Sequence, residues 1–182
     1  RKTVSIGDNK ATWHKGIIIS HIIYLIFLSI AGVISMKLRR QEKANVLMYV
    51  VQYVVIIIMI LSGAVIAIID QLITYSVTPF LLACLAIGVI FLVKPTHNLF
   101  IFINGYVIYY IGMGVTQTDA SILLSNRLNG IASISLGMFL SFILWRQNIV
   151  NMQQEEQIKL QNQELAKKNK ELKRHAHFDH LT

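Results

Sequence analysis

The sequence predicts an all-α membrane protein, a bundle of about five transmembrane helices followed by a charged cytoplasmic helix. Hydrophobic residues make up 54% of the 182 residues and charged residues only 14%, whereas soluble domains carry about 25% charged residues. Most of the charges fall at residues 1–15, at residues 37–43 and from residue 146 onwards. The apolar runs between them are each close to the ~20 residues that a helix needs to cross ~30 Å of hydrocarbon.

Five apolar runs are the predicted spans. They cover residues 16–36, 46–69, 77–93, 99–115 and 128–145. Helices are favoured over strands because a backbone in lipid must satisfy its own hydrogen bonds, and the runs lack the alternation of barrel strands. Small residues recur in the runs, among them Gly63, Gly112, Gly130 and Gly137. We predict that they let helix backbones pack closely.

The basic residues predict the orientation of the chain. The loop at residues 37–43 carries four cations and the loop of Lys94 is also basic, whereas the loop after the second span carries only Asp70. Basic loops stay on the cytoplasmic side, so the C-terminus is expected in the cytoplasm. The cations of residues 1–15 disagree, since they would then lie outside. Flanking cations also account for the net charge of +8, so the expected partner is the lipid bilayer and not nucleic acid.

Polar side chains within or beside the spans are candidates for a ligand site, because such groups are costly in hydrocarbon. They are Asp70, Arg127, Asn126, Asn129, Asn104, Tyr109 and His21. We predict that Asp70 and Arg127 pair near the outer face, with a small ligand or lipid head group beside them. The alternative is an ordinary interfacial salt bridge or two solvated charges, worth about 0–1 kcal/mol. His21 is a candidate proton sensor, or else a hydrogen-bonding contact to a neighbouring helix.

The residue pattern predicts neither a catalytic group nor a metal site. His175, His177 and His180 lie close together, but without a cysteine or a carboxylate cage beside them. A phosphorylated histidine on a dimeric helix is another interpretation of this cluster. The acidic residue and Arg-Thr-Pro run that typically follow such a histidine are missing here. The single cysteine, Cys84, excludes an intramolecular disulfide.

Residues 147–174 are predicted to form a polar cytoplasmic helix, since they contain neither glycine nor proline. Three aliphatic residues recur every seven positions, with an asparagine four residues after each of the first two. They are Ile158, Leu165 and Leu172, with Asn162 and Asn169. This pattern favours a two-stranded parallel coiled coil, and hence a parallel homodimer. The alternative is a single solvated helix that is stabilised by pairs such as Glu164–Lys168.

The last residues carry a family resemblance. The stretch Leu165-Ala166-Lys167-Lys168-Asn169-Lys170-Glu171-Leu172 leads into Phe178-Asp179-His180-Leu181-Thr182. It resembles the signalling helix and opening residues of a GGDEF domain, in which L-x-x-x-N-x-E-L runs into D-x-L-T and then G-L-x-N-R-R. Residues 70–80 and 117–130 are similar to the polytopic MASE-type sensory regions of bacterial diguanylate cyclases.

The resemblance implies a membrane sensor that controls cyclic di-GMP synthesis in a bacterial inner membrane. Residues 16–146 would be the sensory domain, and residues 175–182 the start of a missing GGDEF domain. The Gly-Gly-Asp-Glu-Phe signature is absent, so this chain is expected to be non-catalytic, and GTP and Mg²⁺ would bind beyond it.

The input region of a histidine kinase is one alternative function. A transporter or channel is another, although the internal repeats and midplane charges that transporters favour are not found. The stimulus is not predicted.

Overall fold

The computed structural model describes residues 6–38 and 46–179, with the side chains of residues 10–38 and 46–173. Within these residues the secondary structure is all-helical, so the predicted fold class is confirmed. The helices are α1 (Ile6–Leu38), α2 (Val46–Asp70), α3 (Thr78–Ile90), α4 (Pro95–Thr116) and α5 (Ala120–Asp179). The chain divides into two compact units, residues 1–143 and 144–182.

In the first unit the helices alternate in direction. We call the end where α2 finishes and α3 begins the Asp70 end, and the end where α4 begins the Lys94 end. A hydrogen bond from Trp13 in α1 to Asp70 brings the start of α1 to the Asp70 end. Another, from Asn126 in α5 to Gln71, brings the start of α5 there too. Helices α1, α3 and α5 therefore run towards the Lys94 end, whereas α2 and α4 run away from it.

Among the residues that the structure describes, four helices are long and apolar enough to cross a membrane: α1, α2, α4 and α5. The predicted third span, residues 77–93, differs because α3 is helical for only 13 residues. At 1.5 Å per residue this is about 20 Å, short of the ~30 Å hydrocarbon core. Residues 91–94 then continue towards the Lys94 end in non-helical form. The predicted helix is confirmed over residues 78–90, whereas its predicted continuation to residue 93 is wrong.

The non-helical segment has an identifiable backbone partner. Pro95 begins α4, and a proline disfavours helical geometry in the residue before it, so Lys94 is extended (φ −53°, ψ 134°). Leaving the helix frees carbonyl groups, which must find donors when they lie away from water. Gln52 Nε2 of α2 donates to the carbonyl oxygen of Leu92 at 3.3 Å. Gln52, the one amide side chain of the second predicted span, thus supplies a hydrogen bond to the non-helical residues that follow α3.

Glycines set the closest helix contacts in the first unit. A Cβ added at Gly88 of α3 would lie 2.5 Å from the carbonyl oxygen of Gly137 in α5. One added at Gly63 would lie 2.5 Å from the Cβ of Ala83, where α2 meets α3. One added at Gly112 would meet the Ile68 side chain. Backbones approach this closely only without a side chain between them, so the predicted packing role of Gly63 and Gly137 is confirmed. Gly112 and Gly130 instead contact side chains, those of Ile68 and Tyr109.

Asp119 fixes the start of α5. Its carboxylate accepts hydrogen bonds from the backbone amides of Ser121 (2.8 Å) and Ile122 (3.1 Å) and from the Ser121 hydroxyl (2.8 Å). Such a cap satisfies amides that have no partner in the first helical turn. These hydrogen bonds favour the ionised form and hold the pKa of Asp119 below its ordinary value.

The second unit consists of the polar part of α5. Its heptad aliphatics are exposed in this single chain, with Ile158, Leu165 and Leu172 each more than half accessible. Lys168 Nζ lies 2.8 Å from Glu164 Oε1, which forms the intrahelical pair of the solvated-helix alternative. That pair is itself exposed and contributes little. The homodimer through Ile158, Leu165 and Leu172 with Asn162 and Asn169 stays a prediction.

Candidate ligand site at the Asp70 end

Asp70 links α1 to the end of α2. Its Oδ1 accepts a 3.0 Å hydrogen bond from Trp13 Nε1. Its backbone carbonyl accepts from the amide and the hydroxyl of Thr74, at 2.8 and 3.2 Å, and so closes the turn that follows α2. The carboxylate is half-buried. A half-buried carboxyl group is therefore held in place at the Asp70 end of the bundle.

Asp70 and His21 line one cavity. This cavity of about 510 Å³ lies between α1, α2 and α3, with further polar groups from Ser62, Ser76 and Thr78 among mainly apolar side chains. Its volume lies within the roughly 300–1,000 Å³ range of small-molecule sites, which are also mostly apolar with a few polar groups. The structure thus brings together two of the predicted site residues, Asp70 and His21.

His21 makes a hydrogen bond within its own helix. Its Nδ1 lies 2.8 Å from the carbonyl oxygen of Ile17. A carbonyl oxygen can only accept, so Nδ1 is the donor. The cavity therefore offers the Asp70 carboxylate as an acceptor, with the His21 imidazole beside it. A small molecule with a cationic or hydrogen-donating group and an apolar body fits this chemistry.

Arg127 does not pair with Asp70. Its guanidinium carbon lies 3.7 Å from the centroid of the Tyr110 ring, a cation–π contact between α5 and α4. No Asp70–Arg127 ion pair is present in the described part of the chain, where both side chains are placed. The predicted ion pair is wrong because Asp70 contacts Trp13 of α1 whereas Arg127 lies against α4.

A chain of buried hydrogen bonds joins α2, α4 and α5 at the Asp70 end. Asn126 Nδ2 donates to Gln71 Oε1 at 2.7 Å, and Tyr109 Oη donates to the Asn126 carbonyl at 2.9 Å. Gln71 Nε2 in turn donates to the carbonyls of Ala67 and Ser76, both at 3.2 Å. All three polar residues are buried. Each bond satisfies a group that would otherwise be stranded in the interior.

The Gln71–Asn126 bond is expected to be energetically coupled. Replacing Gln71 by Leu leaves Asn126 Nδ2 buried without its acceptor, which costs about 1–3 kcal/mol. Interhelical hydrogen bonds in membranes average about 0.6 kcal/mol and reach about 1.7. We therefore expect Gln71→Leu and Asn126→Leu each to destabilise the bundle by about 1–2 kcal/mol. The double variant should lose about 1 kcal/mol less than the sum of the two.

The measurement is reversible unfolding in detergent for the wild type, the two single variants and the double variant. Asn104→Leu is the matched control, because the exposed Asn104 amide donates only to Phe100 of its own helix at 2.7 Å. Its expected effect is within about 0.5 kcal/mol. Strictly additive effects of the Gln71 and Asn126 substitutions would show that the two side chains act separately.

The remaining predicted site residues are spread over the bundle. Tyr109 and Asn126 are core residues that bond to each other, and Asn104 and Asn129 are exposed. A ligand role for them stays a prediction. The side chains of His175, His177 and His180 lie outside the described residues. Within the described side chains, no three His, Cys, Asp or Glu residues are grouped as metal ligands.

Three features of this region were not predicted from the sequence. Gln71 is the buried partner of Asn126, and an amide directly after the predicted end of the second span was its signal. The hydrogen bond from Trp13 to Asp70 has no sign in the sequence. The ring of Tyr110 as the contact for Arg127 also had no sequence signal, because it depends on how α4 and α5 are rotated.

Comparison of the chain with family models, with curated protein sequences and with solved structures gives no match.

Proposed function

We propose that this chain is the membrane input region of a bacterial signalling protein and that it controls a diguanylate cyclase domain attached after α5. The observation that carries the proposal is the continuity of helix α5. Helix α5 (Ala120–Asp179) contains Gly137, which packs against α3, and also the heptad residues Ile158 to Leu172. One helix thus includes both a core element of the bundle and the candidate dimerisation segment.

In the proposed mechanism, a change at the Asp70 end alters the packing of α5 in the bundle. The buried bond between Asn126 and Gln71 and the ring of Tyr109 connect α5 to α2 and α4, so a shift of those helices would move α5. Two copies would pair through Ile158 and Leu165, with the C-termini in the cytoplasm. A rotation or register change would then reorient two attached cyclase domains. GTP and Mg²⁺ would be bound by those domains.

The relay is tested by insertions in the cytoplasmic part of α5, in the full-length gene product. Two, five or seven residues are inserted between Met152 and Gln153, and cellular cyclic di-GMP is measured. A coiled coil repeats every 3.5 residues per turn. Insertions of two or five residues turn the heptad seam to the opposite side, so we expect them to change the output at least fivefold. An insertion of seven residues restores the seam and should restore most of the output.

The control replaces residues 153–157 by alanine without changing the length, which should leave the output within twofold. An output that is insensitive to all insertions, or that falls steadily with their length, would contradict a phase-dependent relay.

Reading the coding sequence after Thr182 identifies the class of the output domain. A Gly-Gly-Asp-Glu-Phe-like motif would support a cyclase as the output domain. A kinase ATP-binding domain would contradict the cyclase and indicate phosphotransfer as the output.

A further inference from the structure

A second cavity lies at the Lys94 end, between α4 and α5. Its volume is about 390 Å³. Its lining includes Pro95 and Asn98 of α4 and Met138, Phe139, Ser141 and Phe142 of α5. It is separate from the Asp70 cavity, with which it shares no lining residue.

Two buried polar side-chain atoms of the residues that line this cavity have no hydrogen-bond partner in the described part of the chain. Asn98 and Ser141 are each 2% exposed, and neither Asn98 Oδ1 nor Ser141 Oγ is hydrogen-bonded to any residue that the structure describes. Buried polar atoms in proteins are almost always satisfied. An acceptor and a hydroxyl lining the same cavity from two helices therefore point to a ligand that supplies the missing bonds.

The contrast with Ser133 shows that Ser141 is unusual. Both serines lie on α5 and are 2% exposed. Ser133 Oγ donates to the carbonyl of Asn129, four residues earlier, at 2.7 Å. A serine in a membrane helix commonly satisfies itself in this way. Ser141 makes no such bond, so its hydroxyl is left unsatisfied in the wall of the cavity.

The surroundings of the two atoms indicate an amphiphile. Phe139 and Phe142 are 62% and 52% exposed, so they offer the lipid side an apolar surface next to the cavity. Lys94 immediately precedes Pro95 and is exposed, which places a cation at the same end. The first turn of α4 adds the partial positive charge of a helix N-terminus. These features suit an anionic, hydroxyl-bearing head group joined to acyl chains.

We propose that this cavity binds the head group of a phospholipid of the phosphatidylglycerol class. A glycerol hydroxyl would donate to Asn98 Oδ1, and Ser141 Oγ would donate to a second head-group oxygen. The acyl chains would pass over Phe139 and Phe142. This inference does not depend on the proposed signalling function, because its test measures bound lipid alone.

The test is native mass spectrometry of the chain released from detergent micelles that contain equal amounts of phosphatidylglycerol and phosphatidylcholine with identical acyl chains. Phosphatidylcholine has no hydrogen-bond donor in its head group and no net charge. We expect the wild type to retain phosphatidylglycerol at least threefold over phosphatidylcholine. Ser141→Ala and Asn98→Leu should each reduce this preference to near unity. Ser133→Ala is the matched control and should keep it.

Adding diacylglycerol as a third lipid tests the role of the phosphate. Retention of phosphatidylglycerol above diacylglycerol supports recognition of the anionic head group. Equal retention of all three lipids by the wild type would overturn the proposal, and so would a preference that survives both Ser141→Ala and Asn98→Leu. Unfolding is measured for each variant, and Ser141→Ala, which removes one oxygen atom, decides the outcome if Asn98→Leu does not fold.

Discussion

Gly88→Ala is expected to destabilise the bundle by about 2–3 kcal/mol, at the upper end of the usual cost of overpacking. The new Cβ would lie 2.5 Å from the carbonyl oxygen of Gly137 and 3.2 Å from its Cα. Both are backbone atoms, so no side chain can rotate away. The helices α3 and α5 must separate, which disturbs the packing that holds a membrane bundle together.

The single cysteine provides the readout for Gly88→Ala. Cys84 is fully buried, so a thiol-reactive fluorescent dye labels it in detergent only when the bundle opens. Gly32→Ala is the matched control, because no described atom lies within 4 Å of the position of its new Cβ. The Gly32 variant should keep the wild-type midpoint of the unfolding transition, as followed by Cys84 labelling, or raise it slightly. Alanine favours helix by about 1 kcal/mol over glycine. Equal midpoints for the two variants would show that α3 and α5 do not pack through Gly88.

Hydropathy predicted the helical class and four described helices that are long and apolar enough to cross a membrane, because those properties depend on composition and length alone. It failed at residues 77–93, where an apolar run continues past the end of α3 at Ile90. An apolar residue is compatible with both helical and extended backbone, so hydropathy does not locate the end of the helix. The sequence feature associated with the end of α3 is Gln52 in α2, whose amide donates the hydrogen bond to the carbonyl oxygen of Leu92.

Two of the predicted site residues lie together in the structure, whereas the predicted arrangement of the others is not found. Asp70 and His21 were singled out for their cost in lipid, and they do line one cavity. The partner of Arg127 could not be predicted, because opposite charge suggested Asp70 whereas the rotation of α5 places the guanidinium on Tyr110. The unpartnered atoms of Asn98 and Ser141 were also beyond sequence, since a serine or asparagine gives no sign of whether its helix satisfies it.

Tyr109→Ala is expected to be the most damaging substitution at the Asp70 end. Tyr109 is fully buried and stacks on Phe80, with ring centroids 4.3 Å apart and planes at 14°. Truncating a buried aromatic residue costs about 3–5 kcal/mol in soluble proteins. Part of that cost is transfer from water, which is reduced in lipid, whereas the lost packing contacts remain. We therefore expect about 2–4 kcal/mol, larger than the effect of either Gln71→Leu or Asn126→Leu.

Tyr109→Phe separates the ring from its hydroxyl. It keeps the stack on Phe80 and removes only the 2.9 Å bond to the Asn126 carbonyl, so it should cost about 1 kcal/mol or less. Tyr49→Ala is the control for loss of a tyrosine from an apolar helix, because Tyr49 is 58% exposed and should change stability by less than about 0.5 kcal/mol. All three are measured by labelling of Cys84 during unfolding. If Tyr109→Phe is as damaging as Tyr109→Ala, the hydrogen bond to α5 rather than the stack on α3 holds α4 in the bundle, and the packing argument for this residue fails.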